Sequence, residues 1–118
     1  MNRIQIVSIL FLVVIFFNKI YSQSNTNQME QNRIQAVLTI DTENLPANFQ
    51  EIIKHEQQVV AKWKEEGILE SLFLRHTKNG AVLIFKGIDE AKARELMETL
   101  PLYQLQKSVE YFSLIKQF

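Results

Sequence analysis

The chain has 118 residues, no cysteine, and 13 basic side chains balanced by 13 acidic ones. This length fits one small domain. Without cysteine there are neither disulfides nor thiolate metal sites, so the fold must depend on an apolar core, helped by self-association. Because the charges balance and no lysine or arginine block occurs, the composition gives no support for binding nucleic acid or anionic membranes.

Residues 1–22 have the order of a secretory signal peptide. Arg3 gives a positive start, Ile6–Phe17 is apolar except for Ser8, and Ser22 is a small residue at which cleavage can occur. The apolar run is shorter than the roughly 20 residues that a spanning helix needs. We therefore predict cleavage after Ser22 and export to the periplasm or the extracellular space, with no membrane attachment afterwards. An uncleaved anchor is the alternative.

The exported part begins with a polar segment. Residues 23–32 (QSNTNQMEQN) predict a flexible leader, which leaves residues 33–118 as the folded domain. Loss of Arg3 and Lys19 with the signal peptide leaves 11 basic against 13 acidic side chains. The exported chain is therefore close to neutral.

The first half of the domain reads as strand, helix, strand. Ile34–Asp41 alternates in polarity and predicts a strand. Ala47–Glu66 has a helical period, and Gly67 is placed to end that helix. Leu69–Thr77 is rich in β-favouring residues and predicts the second strand.

The second half repeats this order. Asn79–Gly80 is a strong hairpin signal, and Ala81–Lys86 after it predicts a third strand. Asp89 can cap a helix over Glu90–Thr99. Lys107–Lys116 predicts the fourth strand.

The order βαββαβ predicts an α+β, ferredoxin-like domain, in which a four-stranded antiparallel sheet carries two helices on one face. The other face would be polar if it met water. Instead the third strand is apolar on both sides, and the fourth places Phe112 and Leu114 opposite Val109, Tyr111 and Ile115. We expect a second copy to cover this face, giving a homodimeric α+β barrel or a larger homo-oligomer.

A carboxylate interrupts the apolar stripe of the first helix. At about 100° per residue, Glu56 falls in the middle of a stripe formed by Phe49, Ile52, Ile53, Val59, Val60 and Trp63. A buried acid must be paired, hydrogen-bonded or protonated, and burial raises its pKa toward neutrality. One interpretation is a general acid/base facing a cavity between helix and sheet. The other is an acid that leans out of the stripe or pairs with Arg75 or His76.

The remaining ionisable candidates carry weaker signals. His55 is adjacent to Glu56 but about 100° away around the helix, so the two do not form a metal pair. Arg75 and His76 fall on opposite faces near the end of the second strand, so at most one of them faces the cavity. No phosphate loop and no nucleophile motif occurs, and we expect neither a metal nor a cofactor.

Five segments in this order and spacing resemble the muconolactone isomerases. They are Lys54–Glu56, Lys64–Gly67, Ser71–Arg75, Val82–Phe85 and Met97–Tyr103 (METLPLY), within a region from Phe49 to Phe118. The resemblance implies a ferredoxin-like subunit that pairs into a barrel and assembles into larger rings. It also implies an activity, the shift of a double bond in a small lactone by proton transfer without a metal or organic cofactor.

By matching position, the resemblance implies that Glu56 is the proton carrier. We expect an anionic group of a small-molecule ligand to be oriented by His55, Arg75 or His76. The candidate cavity walls are Trp63, Phe73, Phe85 and Tyr103.

Two departures separate the chain from these enzymes, which act inside the cell: the export signal and a divergent first strand. The alternative function is a non-enzymatic ligand-binding or assembly module on the same barrel, with Glu56 in a structural hydrogen bond. A cofactor-free oxygenase or haem-handling barrel is a third class, but neither histidine is well placed as an axial ligand.

Overall fold

The computed structural model describes residues 30–118. The predicted signal peptide, residues 1–22, lies outside the described residues, as does most of the predicted leader. The first strand begins at Asn32, next to the predicted domain start. Among the described residues, no helix combines the length and apolar character needed to cross a bilayer.

The predicted order of elements is confirmed. In chain order the elements are β1 (Asn32–Ile40), α1 (Phe49–Glu66), β2 (Leu69–Leu74), β3 (Gly80–Lys86), α2 (Glu90–Glu98), a 3-10 helix (Pro101–Leu105) and β4 (Gln106–Ile115). Of the seven elements named, the 3-10 helix is the one that the sequence patterns did not predict. It occupies the connection between α2 and β4.

The four strands form one antiparallel sheet in the order β2-β3-β1-β4. β1 pairs with both β3 and β4, so the first and third strands of the chain are central and the other two are edges. This topology is the split βαβ arrangement of the ferredoxin-like fold.

The helix ends follow from local sequence. Gly67 adopts a left-handed φ of 83°, which a residue with a Cβ rarely adopts, and it ends α1 as predicted. The Asp89 side chain accepts a hydrogen bond of 2.8 Å from the backbone N–H of Lys92, which confirms the predicted cap of α2.

Both helices pack on one face of the sheet, which we call the helix-covered face. Its buried residues from the strands are Ile34, Ala36, Leu38, Ile40, Leu69, Leu83 and Phe85. From α1 and the α2 region they are joined by Trp63, Ala93, Met97 and Leu100. The Trp63 and Phe85 rings lie 5.7 Å apart between centroids at a tilt of 58°, so this aromatic pair connects α1 to the central part of the sheet.

The opposite side, which we call the open face, is largely apolar at its centre. Its residues, read from the strand register, are Ser71, Phe73, Val82, Ile84, Arg33, Gln35, Val37, Thr39, Glu110, Phe112 and Leu114. Phe73 is 58% exposed and Phe112 is 45% exposed. The predicted apolar character of both faces is thus present in the folded chain.

A bulge in β2 decides which of its residues reach the open face. Leu69 pairs with Phe85 on the helix-covered face, whereas Ser71 pairs with Ile84 on the open face. Simple alternation would place Leu69 and Phe73 on the same side. The extra residue, Glu70, reverses the alternation and carries Phe73 to the open face.

Candidate functional site

The most unusual side chain on the helix-covered side is Glu56. It lies on α1 two turns before Trp63, on the same side of the helix, and it is only 8% exposed. The apolar stripe therefore does bury this carboxyl group, as its position predicted. Glu56 is also the one charged residue among residues 30–118 that is buried to this degree.

The partner of Glu56 is a backbone group. Its Oε2 atom accepts a hydrogen bond of 3.1 Å from the N–H of Leu102, in the first turn of the 3-10 helix. The first N–H groups of a helix have no partner within the helix, and Pro101 before Leu102 has no N–H at all. Glu56 thus satisfies the first available donor of that helix and links α1 to the segment leading into β4.

Two opposing effects set the pKa of Glu56. Burial disfavours the charged form and raises the pKa from 4.5 to about 7, although the Leu102 N–H acts in the opposite direction by stabilising the carboxylate. At neutral pH the protonated and charged forms are therefore both populated. This pKa is well suited to a group that accepts and returns a proton.

The second carboxyl oxygen of Glu56 remains available. No side-chain N or O atom in residues 30–118 is both fully buried and without a hydrogen-bond partner. Oε1 has no partner in this part of the chain, so it must retain some accessible surface. One oxygen is thus held by the backbone, while the other can exchange a proton.

Three of the predicted wall residues lie on the same side of the sheet as Glu56. Trp63 and Phe85 are buried in the core, and Tyr103 of the 3-10 helix packs against that core. Tyr103 directly follows Leu102, the donor to Glu56.

The two histidines are not brought to the buried carboxyl group. His55 is exposed on α1, and His76 is exposed in the turn that follows β2. The structure also shows that Glu56 does not pair with His76 or Arg75, because its hydrogen bond goes to the backbone of Leu102.

Phe73 and Arg75 lie on the other side of the sheet. The Arg75 guanidinium donates to the Thr39 hydroxyl, and Thr39 is an open-face residue of β1. The bulge at Glu70 accounts for both placements, because it shifts the alternation of everything that follows it in β2. The sheet therefore separates these two candidates from Glu56.

The open face contains an ion network that the sequence patterns did not indicate. Glu70 forms an ion pair with Arg33 of β1. It also accepts a hydrogen bond of 3.1 Å from Lys116, which lies just beyond the end of β4. Both cations lower the pKa of Glu70, with the Arg33 hydrogen bond as the largest cause. The two notable acids of the domain thus have opposite pKa shifts on opposite sides of one sheet.

Within residues 30–118, no three side chains of histidine, aspartate or glutamate come close enough together to hold a metal ion.

Comparisons with known proteins support the fold. No protein-family model matches the chain, and no curated protein does so. A crystal structure of an antibiotic biosynthesis monooxygenase matches with a TM-score of 0.51 at 14% identity, covering 74% of this chain and 99% of that one. A crystal structure of PA3566 from Pseudomonas aeruginosa has a TM-score of 0.48 and 16% identity, covering 77% and 98%. The first similarity identifies the domain as a ferredoxin-like α+β fold of the type found in that monooxygenase.

Proposed function

We propose that this domain is a cofactor-free acid/base catalyst that moves a proton on a small lactone or unsaturated acid, with Glu56 as the proton carrier. The observation that supports it most is the buried carboxyl group with a pKa near 7 and one uncommitted oxygen. The resemblance of Met97–Tyr103 to the muconolactone isomerases supports the same reaction class.

The proposed reaction needs only this one group. The charged Oε1 takes a proton from a carbon next to the ligand's carbonyl, so that a C–H bond breaks and an O–H bond forms. The protonated acid then returns the proton to another carbon of the conjugated system, which shifts the double bond. No electrons leave the ligand, so the step requires no oxidant or metal.

The second candidate is a non-enzymatic binding or assembly module. The hydrogen bond from Leu102 to Glu56 favours it, because this contact by itself gives the buried acid a structural role. In this case the 3-10 helix is held against α1 by an acceptor that need not titrate.

We further propose that two copies pair through their open faces. A sheet side with apolar residues at its centre requires cover, and Phe73, Phe112 and Leu114 are each more than a third exposed. A second copy presents the same apolar surface, which a two-fold interface can match to itself.

The proposed destination of the protein is outside the cytoplasm. The order of residues 1–22 supports this. Mass spectrometry of the protein recovered from the periplasm or medium should find an N-terminus at Gln23, whereas retention of residues 1–22 would contradict cleavage after Ser22.

The test of the catalytic proposal is proton exchange. Purified residues 23–118 are incubated in D2O with a panel of small lactones and β,γ-unsaturated acids, and NMR follows both deuterium uptake and double-bond migration. Glu56→Gln keeps an oxygen to accept from Leu102 but cannot carry a proton. We expect exchange by the native protein and a loss of about 100-fold or more in the variant.

A matched control separates the two candidates. His55→Gln changes the neighbouring, exposed position and should exchange at the native rate. Folding of each variant is checked by circular dichroism. Equal exchange by native protein and Glu56→Gln would refute the role of Glu56, and a structural module would show no exchange above buffer in either protein.

A further inference from the structure

We propose that Glu110 of each copy pairs with Arg75 of the second copy across the open faces, and that these two symmetric pairs fix how the copies align. The proposal rests on the proposed homodimer. It begins from the strand register, which arranges the open face in rows across the sheet.

Two neighbouring rows contain the charges concerned. Phe73, Val82, Val37 and Glu110 form one row from β2 to β4. The adjacent row starts at Arg75, whose backbone N–H donates to the carbonyl of Gly80 and whose guanidinium donates to Thr39. Arg75 and Glu110 are thus at opposite edges of the same sheet, one row apart.

Glu110 is the acid on the open face that the domain itself leaves unpaired. Glu70 already has Arg33 and Lys116, whereas Glu110 has no ion pair or side-chain hydrogen bond within residues 30–118. Covering a carboxylate with an apolar surface is unfavourable unless a cation comes with that surface. A second copy that covers this face must therefore bring a cation to Glu110.

The alignment of the two copies determines which cation of the second copy lies near Glu110. The proposal places the two copies in the aligned class of sheet packing, in which the strand directions of the two sheets stay within about 30° of each other. If the two-fold axis runs along the strands, β2 of one copy lies over β4 of the other and rows face equivalent rows. Glu110 then faces Phe73 of the second copy, with Arg75 of that copy in the next row.

The other aligned arrangement is less favourable for Glu110. With the axis across the strands, each strand lies over its own counterpart and the row order is reversed. Glu110 then faces Phe112 of the second copy, and Arg75 faces Glu70, which already has two cations. Lys86, the remaining open-face cation, is then two strands away from Glu110.

The guanidinium of Arg75 can exchange its present partner for Glu110. One of its nitrogens bonds to the Thr39 hydroxyl on β1, two strands from β2, so the guanidinium leaves Thr39 when it turns toward Glu110 of the second copy. A charge-assisted bond to a carboxylate is stronger than a bond to a neutral hydroxyl, which favours this exchange.

A charge swap tests the pair. The mass of residues 23–118 in solution is measured across a dilution series for the native sequence, Glu110→Arg, Arg75→Glu and the double variant. We expect a native dimer, single variants whose dimers are weaker by about 100-fold or more, and recovery in the double variant. Lys54→Glu, a charge reversal at an exposed position of α1 away from the open face, is the matched control and should leave the dimer within about threefold of native.

The outcomes distinguish the pair from the dimer. A monomeric native protein would refute the dimer and the pair together. A native dimer that both single variants leave intact, or that the double variant fails to restore, would refute only the pair. Disruption by Glu110→Arg but not by Arg75→Glu would show that another cation faces Glu110 and would overturn the proposal.

Cross-linking gives a second measurement that does not require charge reversal. The chain contains no cysteine, so Glu110→Cys with Arg75→Cys introduces the sole thiols. Within one sheet these positions are three strand spacings apart, about 14 Å. A bis-maleimide with a span shorter than this cannot join them within one copy. It should instead join two copies and give a covalent dimer on a denaturing gel. Glu110→Cys with Lys86→Cys is the control. Covalent dimer from the control pair alone would contradict the proposed alignment.

Discussion

The two faces of this sheet stabilise a carboxyl group near an apolar surface in different ways. On the helix-covered face, Glu56 is buried with a backbone N–H as its partner, and burial raises its pKa to about 7. On the open face, Glu70 has Arg33 and Lys116, and its pKa is lowered. A paired acid stays charged and serves structure, whereas a buried acid without a cation remains able to exchange a proton near neutral pH.

The largest contrast between the faces should be in packing. Phe85 is fully buried against Trp63, and Phe85→Ala should lower the free energy of unfolding by about 3–5 kcal/mol. Phe73→Ala removes the same atoms from the open face and should lower the free energy of unfolding by only about 0.5 kcal/mol in dilute protein. Urea denaturation of both variants measures the difference.

The same two variants should also differ in how their loss of stability depends on protein concentration. If copies associate through the open face, the loss caused by Phe73→Ala should grow with protein concentration, because association stabilises the native form. The loss caused by Phe85→Ala should not show this trend. Equal losses for the two variants in dilute protein would mean that the two faces are buried alike.

The next largest effect concerns the pH dependence given by Glu56. Because its pKa is raised from 4.5 to about 7 on folding, the folded protein binds more protons than the unfolded chain between these values. Stability therefore falls as pH rises through this window, by about 3 kcal/mol in total. Glu56→Gln removes this dependence, so the stability of the variant relative to native should rise by that amount from pH 4.5 to pH 8.

Denaturation curves of the two proteins at matched pH values check this prediction. All other titrating groups are common to both proteins and cancel in the difference. A difference that does not change with pH would show that Glu56 titrates at the same pH in the folded and unfolded chain.

The smallest effect belongs to Glu70 and has the opposite sign. Its pKa is lowered on folding by Arg33 and Lys116, so its stabilising contribution is present above the unfolded pKa and is lost as pH falls through the folded pKa. Glu70→Gln should reduce stability at pH 7 by about 1 kcal/mol or less, because the pairs are partly exposed. Glu65→Gln, an exposed acid on α1, is the matched control and should have no measurable effect.

Much of the fold was predictable because local chemistry determines it. Gly67 and Asp89 mark helix ends through backbone conformation and capping, and both positions were correct. The alternation of Ile34 to Ile40 gave the helix-covered face of β1, and the burial pattern of that strand matches it. Each of these signals depends on residues within a few positions of one another.

The features that the sequence did not predict depend on contacts distant along the chain. The donor to Glu56 is the backbone N–H of Leu102, and a backbone group has no side-chain signature. The bulge at Glu70 has no marker such as glycine, yet it moves Phe73 and Arg75 away from the side of Glu56. Thus the burial of Glu56 could be predicted, but its partner and the identity of its neighbours could not.

The proposed proton transfer requires Glu56 to titrate near neutral pH, and the resonance of its carboxyl carbon reports this titration. In uniformly 13C-labelled residues 23–118, the Glu56 Cδ resonance is identified by its absence in Glu56→Gln and followed by NMR from pH 3 to pH 9. We expect its midpoint at about 7. A midpoint near 4.5 would contradict the proposed proton transfer and leave the hydrogen bond to Leu102 as the whole role of this residue.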